Sequence, residues 1–372
     1  MKILCDREKL TSAFQTAALF APSRSPKPIL QNIKLEVTKQ GATFMATDME
    51  VGIRMAVEGV EVSKEGNAIL PVANFGAILR ESHDDKIQIE SSSKGNVVRG
   101  ERSEFKLPGE DPEEFPVVAA FEEKKYHIIP ASLFKQIILR TEFATDMESS
   151  RYALGGVLVE LDDKKIIAVG TDGRRLAKME GPAESIGGHK TGDTMTIIRT
   201  QSMRLIGRAL SDNDGQVQLA ARGNDVLIHT ERATYYSRLV EGRFPRWRDV
   251  FPSRRDAAQI DVTVGPFHSA LRQAAVVTNQ ESRGVDFSFA DGTLTLVAST
   301  AETGQSRVEM PISYSGPPLT VTLDHRFVAD FLKVLNPEQT VTIDIENAEA
   351  AAVFFADDKA YGYVVMPLSR DR

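Results

Sequence analysis

Cysteine is nearly absent from this chain of 372 residues; Cys5 is the only one. That excludes an internal disulfide and a thiolate-rich zinc site, and it fits a reducing, cytoplasmic setting. Long hydrophobic runs are missing too, and no window approaches the roughly 18 uninterrupted apolar residues of a membrane span. The opening residues, Met1-Lys2-Ile3-Leu4-Cys5-Asp6-Arg7, carry no apolar h-region, so a secretory signal peptide is not expected. A positive excess is also lacking. Lys and Arg total 45 against 52 Asp and Glu, a formal net charge of −7. Proteins that grip nucleic acid by bulk attraction are usually basic. Any DNA contact here therefore needs positive charge gathered on one surface.

Catalytic constellations are equally scarce. The six histidines (83, 127, 189, 229, 268 and 325) are scattered, and none stands at metal-ligand spacing from another. There is no G-x-S-x-G. Ser91-Ser92-Ser93-Lys94 matches S-x-x-K formally but lies in a Gly/Ser turn between expected strands. Gly187-Gly188-His189-Lys190-Thr191-Gly192-Asp193 lacks the order of a phosphate-binding loop and reads as a surface loop. The carboxylates at 111–114 and at Asp162-Asp163 sit in turn-like contexts. The expectation is a non-enzyme with no metal and no cofactor. An active site assembled across domains is the enzymatic alternative.

Hydrophobic residues make up 42% and charged residues 26%, ordinary for a soluble globular chain with two or three domains. A weak self-similarity recurs at roughly 120–130 residues, far longer than a solenoid period. Each unit opens with an amphipathic helix. Leu10, Phe14 and Ala17 align in the first, Leu133, Phe134, Ile137 and Ile138 in the second, and Phe267, Leu271 and Ala274 in the third. Antiparallel hairpins follow at 29–48, 154–172 and 285–299. A second helix comes next, at 72–81, 200–211 and 324–335, with Asp324 placed to cap the last. Alternating strands close each unit. Phe115-Pro116 and Phe244-Pro245 mark the ends of the first two, which gives domains 1–120, 121–252 and 253–372.

Two features carry functional weight. Asp172-Gly173 forms a tight turn followed by Arg174, Arg175 and Leu176. A cationic, partly apolar bend is either a solvated loop or a docking place. The helices, for their part, carry Lys9, Arg80, Lys135, Arg204, Arg208, Arg272, Arg326 and Lys333 on or near the faces opposite their apolar stripes. These are either solvated faces or one positive surface suited to sequence-independent phosphate contacts.

The pieces Lys27-Pro28-Ile29-Leu30, Arg151-Tyr152, Thr171 to Ala177, Leu239-Val240-Glu241-Gly242-Arg243-Phe244-Pro245 and Tyr363 to Leu368, in this order and spacing, resemble the bacterial DNA sliding clamp family, the β subunit of DNA polymerase III. The resemblance runs along essentially the whole chain. It implies an α+β clamp fold of three similar domains, each with two helices on antiparallel sheets, and a head-to-tail homodimer closing into a ring. It implies double-stranded DNA inside the ring and partners that include the replicative polymerase, the clamp loader and other proteins with a clamp-binding motif. A partner-peptide pocket is implied at Leu154, Thr171, Gly173, Arg174, Arg175, Leu176, Pro245, Val250, Val364, Met366, Pro367 and Leu368. Val364 and Met366 have core packing as their alternative, and the two roles are compatible. Asp249 stands where some relatives carry arginine, and Ser369 to Arg372 extend past the usual end; both bear on peptide preference. Arg24 and Tyr152 match positions that touch DNA, with a packed strand residue as the alternative for Tyr152; Ala153 replaces a second aromatic. For the dimer seam the resemblance pairs Phe105 and Leu107 with Val276 and Val277 of the other subunit. A scaffold that binds proteins but not DNA is the competing non-enzymatic reading.

Overall fold

The computed structural model describes residues 1–148, 153–191, 195–251, 257–279 and 283–368. Its architecture is α+β, and one plan recurs three times. A strand leads into a helix, hairpin strands follow, then a second helix, then more strands. The first helices are Arg7–Ala18, Ala131–Thr141 and Val264–Ala274; the second are Val72–Glu81, Thr200–Ala209 and His325–Lys333. The sequence reading opens each copy at its helix. The structure places a strand before each one, at Lys2–Asp6, Tyr126–Pro130 and Ala258–Thr263. These strands are short and run straight into helices, so their alternation offers too few periods to stand out.

Helix starts follow from local chemistry. Asp6 and Asp324 accept backbone N–H groups of Lys9 and Arg326, both at 3.0 Å, satisfying donors that a first turn leaves unpaired. The apolar stripes then settle against sheets. Phe14 meets Phe44 and Phe75 edge-on, at 5.5 and 4.9 Å between ring centres. In the last copy Phe331 stacks on Tyr363 at 4.9 Å. On the helix Thr200–Ala209 the buried apolar residues are Met203, Ile206 and Ala209, while Leu205 is only half-buried.

The chain packs as two compact units. One comprises Met1–Lys135, Leu161–Lys164 and Ala183–Val240; the other comprises Gln136–Glu160, Lys165–Pro182 and the residues from Glu241 on. Residues of the middle copy are shared between them because each of its sheets continues into a neighbouring copy. In the first unit Ala233–Arg238 pairs antiparallel with Val51–Val57, opposing Tyr235 to Ile53. In the second unit Arg175–Pro182 pairs with Tyr361–Val365, opposing Leu176 to Val364. The other sheet of the first unit ends at Glu104–Leu107, and that of the second unit ends at Gly304–Pro311. Among the described residues neither strand has a partner on its outer side.

Two histidines that look unrelated in sequence meet in the first unit. His127 and His189 are buried with their Nδ1 atoms 2.7 Å apart. The Ala221 N–H donates to His189 Nε2 at 3.1 Å, which assigns the His189 proton to Nδ1. That proton is donated to His127, whose Nε2–H donates to the Asp162 carbonyl at 2.8 Å. This relay runs in one direction, and the Ala221 carbonyl lies 3.4 Å from His189 Nε2. Burial pulls His189 below the ordinary histidine value of 6.5, the Ala221 carbonyl opposes it, and neighbouring His127 acts with burial. The unfolded chain therefore takes up this proton before the folded chain does. Stability is full above the unfolded value and falls as the pH drops below it. The thermal midpoint is expected to be lower at pH 5.5 than at pH 7.5, with a smaller drop in His189→Gln. An equal drop in both proteins, followed by circular dichroism, refutes the relay.

Candidate partner-docking site

The turn at 171–176 is built by side chains that fold back on their own backbone. The Thr171 hydroxyl donates to the Arg175 carbonyl at 2.6 Å and accepts the Gly173 N–H at 3.1 Å. Asp172 Oδ1 accepts the N–H groups of Arg174 and Arg175 at 2.9 and 3.0 Å. Gly173 sits at φ 87°, where a side chain is disfavoured. The first copy repeats this construction. Thr47 donates to the Val51 carbonyl and accepts the Met49 N–H, and Asp48 accepts from Glu50 and Val51. The turn is thus architectural, as the repeated Thr-Asp in the sequence suggests.

What the two turns present is different. Glu50 in the first copy is met by Arg238 at 3.4 Å and Arg199 at 3.1 Å. At the place of Leu176 stands Gly52, where a Cβ would lie 3.2 Å from Val118. Val118 and Phe115 fill that position from the connecting segment, packed with Leu30, Met45 and Ile69. In the middle copy Arg174 is exposed and Leu176 is in place. The Arg174 carbonyl accepts the Met366 N–H at 2.9 Å, as the Glu50 carbonyl accepts that of Arg238. Of the apolar positions expected in the pocket, Val250, Met366 and Leu368 face solvent, 44%, 45% and 38% exposed. Pro245 and Pro367 are half-buried. Leu154, Thr171, Leu176 and Val364 are buried and belong to the packed layer beneath.

Arg174 and Arg175 are neighbours with opposite roles. The Arg175 guanidinium is nearly enclosed and fully engaged. It donates to Asp172 at 3.1 Å, to Asp330 at 2.8 Å and to the Phe143 carbonyl at 2.7 Å. It also faces the Phe327 ring at 4.5 Å. Burial pulls this guanidinium down, yet Tyr363, Asp330 and Asp172 hold it above its ordinary value. Arg174 also stands over the Phe327 ring, at 5.6 Å, and has no carboxylate partner among the described residues. Sequence reasoning names both arginines but misses Asp330, Phe143 and Phe327. Phe327 reads as an ordinary apolar-face residue, and only the tertiary fold reveals its cationic neighbours.

The other expected positions fall as follows. Among the candidate DNA contacts, Lys9, Arg80, Lys135, Arg326 and Lys333 each have a carboxylate of this chain within ion-pair distance: Glu58, Glu81, Asp212, Asp324 and Asp330. Arg24, Arg208 and Arg272 are exposed, and Arg204 is half-buried. Tyr152 lies outside the described residues, as do Arg151 and the tail 369–372. Asp249 is exposed and pairs with Arg246 at 3.3 Å. Phe105 is 40% and Val276 is 79% exposed, Val277 is half-buried, and Leu107 is buried within its own chain.

A single α+β plan used three times, with sheets passing from one copy to the next, is the architecture of the DNA clamp class. Three family models match the chain in order. They are the N-terminal domain of the DNA polymerase III beta subunit at residues 1–119, its central domain at 128–246 and its C-terminal domain at 248–369. The chain belongs to the DNA polymerase III beta subunit family. It is 28% identical to the beta sliding clamp of Chlamydia pneumoniae, over 99% of each chain, and 26% identical to that of Escherichia coli K12, over 99% of this chain and 100% of the other. The solved DnaN sliding clamp of Pseudomonas aeruginosa bound to griselimycin superposes with a TM-score of 0.91 at 25% identity, covering both chains fully. The sliding clamp of Bacillus subtilis superposes at 0.92 with 22% identity, over 100% of this chain and 99% of the other. The function is accordingly that of a sliding clamp in DNA replication, a processivity factor that is not itself a catalyst.

Removing the buried guanidinium leaves two carboxylates facing apolar rings. Arg175→Ala is therefore expected to cost about 3–5 kcal/mol of unfolding free energy in urea melts. Arg174→Ala is expected to stay within about 0.5 kcal/mol of the parent. Similar losses in both variants contradict this division of labour.

Proposed function

We propose that two copies of the chain associate head to tail into a closed ring of six similar domains, bounded near 1–120, 121–252 and 253–372, and that duplex DNA runs through it. The free sheet edges at Glu104–Leu107 and Gly304–Pro311 support this reading, because an unpaired edge invites another chain. Phe105 lies on one such edge, and exposed Val276 follows the helix Val264–Ala274. Phe105 and Leu107 of one subunit then face Val276 and Val277 of the other. DNA is met without sequence preference by Arg24, Tyr152, Lys9, Arg80, Lys135, Arg204, Arg208, Arg272, Arg326 and Lys333. Retention is topological, so these contacts need only be weak. The setting is the cytoplasm.

The groove around Arg174, Val250 and Met366–Leu368 holds a short peptide of the replicative polymerase, and of the clamp loader and other proteins with the same motif. One observation carries this reading: two turns share one hydrogen-bonding plan, but the first draws its Glu50 to Arg238 and Arg199, while the middle one sets Arg174, without a carboxylate partner among the described residues, beside exposed Met366. An apolar groove with a few polar groups that fix direction suits such a segment.

Two experiments test the two halves. Protein loaded on nicked circular DNA is expected to resist high salt and to leave once the circle is cut; loss from the intact circle at high salt refutes encirclement. Deleting residues 366–372 is expected to abolish binding of a polymerase peptide while the dimer persists in sedimentation. An unchanged peptide affinity refutes the groove assignment.

A further inference from the structure

Beside the Arg174 turn opens a cleft of about 680 Å³ in the second unit, within the roughly 300–1,000 Å³ of ligand pockets. Its wall is strongly cationic. Arg175, Arg326 and Lys333 are spoken for by Asp172, Asp330 and Asp324. Arg174, Arg272 and Arg283 also line it, with no carboxylate partner among the described residues. Two polar atoms of this lining, Arg283 Nε and His268 Nε2, are buried without a hydrogen-bond partner among the described residues. Buried polar atoms are normally paired, so orphans on a cleft wall call for an explanation. Apolar surface is supplied chiefly by Leu271 and the Phe327 ring; Val276, at the cleft's margin, belongs to the proposed dimer seam.

The cleft is continuous with the proposed groove. Arg174 lines the one and anchors Met366 of the other. Leu368 donates its N–H to the Thr322 carbonyl at 2.9 Å and lies against Gly284, the residue after Arg283. The segment 366–368 therefore runs from the arginine turn toward the cleft's cationic wall.

We infer that this cleft binds the carboxylate side chains of an acidic segment flanking the apolar anchor of a docked partner peptide. The inference rests on the reading of the groove as a peptide site. Guanidinium groups match carboxylates in bidentate geometry, and Arg174 and Arg283 have no carboxylate partner among the described residues. Phe327 and Leu271 give a docked peptide purchase beside them, while Arg272, Arg326 and Lys333 of the same wall keep the DNA role proposed above.

The test uses the full-length protein and two synthetic peptides with the same Leu/Phe anchor, one extended by a short run of Glu and the other by Gln. The extension is placed at each end in turn, and binding is read by fluorescence anisotropy. The Glu peptide is expected to bind about tenfold more tightly at low salt, the low end of what charge-assisted hydrogen bonds supply. That advantage should vanish at high salt and in the double variant Arg174→Gln, Arg283→Gln. Equal affinities at both ends overturn the cleft and leave the groove standing. Failure of both peptides to bind overturns the groove reading and the cleft with it. A short oligothymidylate that cancels the Glu advantage without displacing the Gln peptide assigns the cleft to nucleic acid instead. The salt comparison on the unaltered protein decides the matter even where the variants fold poorly.

Discussion

Antiparallel pairing between neighbouring copies is the constraint on which the rest depends. Val51–Val57 accepts Ala233–Arg238 as its partner, and Arg175–Pro182 accepts Tyr361–Val365. Both junctions join corresponding strands, the fourth strand of one copy and the last strand of the next. Each junction satisfies a row of backbone donors and acceptors that would otherwise stay open at a sheet edge. The middle copy is joined to a neighbour on both sides, and among the edges of the outer copies are Glu104–Leu107 and Gly304–Pro311. Ladder pairing also fixes register, so the turn after Thr171 is held against residues 364–366 with no freedom to slide.

The difference between the turns at the two junctions is then a matter of a few side chains. The backbone plan is shared down to the threonine and aspartate hydrogen bonds. In the first copy, Val118 occupies the space above Gly52, and Glu50 is drawn to Arg238 and Arg199. The junction closes on its own chain. In the middle copy Glu50 becomes Arg174 and the place of Arg238 becomes Met366, so neither an internal ion pair nor an internal apolar plug forms. The acidic Asp172 and Asp330, which could have neutralised Arg174, are committed to Arg175. One buried guanidinium with three acceptors stiffens the turn and leaves its neighbour to solvent.

Much of this was legible in the sequence, for reasons that differ from element to element. Helix faces such as Leu10-Phe14-Ala17 declare themselves through periodicity, and Asp324 declares a helix start through its chemistry. The threefold plan was legible because the order of elements repeats. The leading strands were too short to register. The meeting of His127 with His189, and of Arg175 with Asp330, joins residues 62 and 155 positions apart, and no local pattern encodes such distances. The docking turn was legible as a turn, but its distinction from the first copy required seeing that Val118 fills one site and that Met366 stays exposed beside the other.

The same limit applies to the helix cations. Sequence reading counts Lys9, Arg80, Lys135, Arg326 and Lys333 as positive charge, while the structure sets a carboxylate of the same chain beside each. Most of these pairs are exposed, and exposed ion pairs add little to stability and are screened by salt. A phosphate entering such a site exchanges one weak partner for another, so the net gain per contact is small. A chain that carries seven excess negative charges and neutralises many of its own cations is poorly suited to hold DNA by affinity. It is well suited to a surface over which a duplex moves with little resistance, provided that something other than charge prevents escape. The free strand edges of the outer copies are where closure between two chains would supply it.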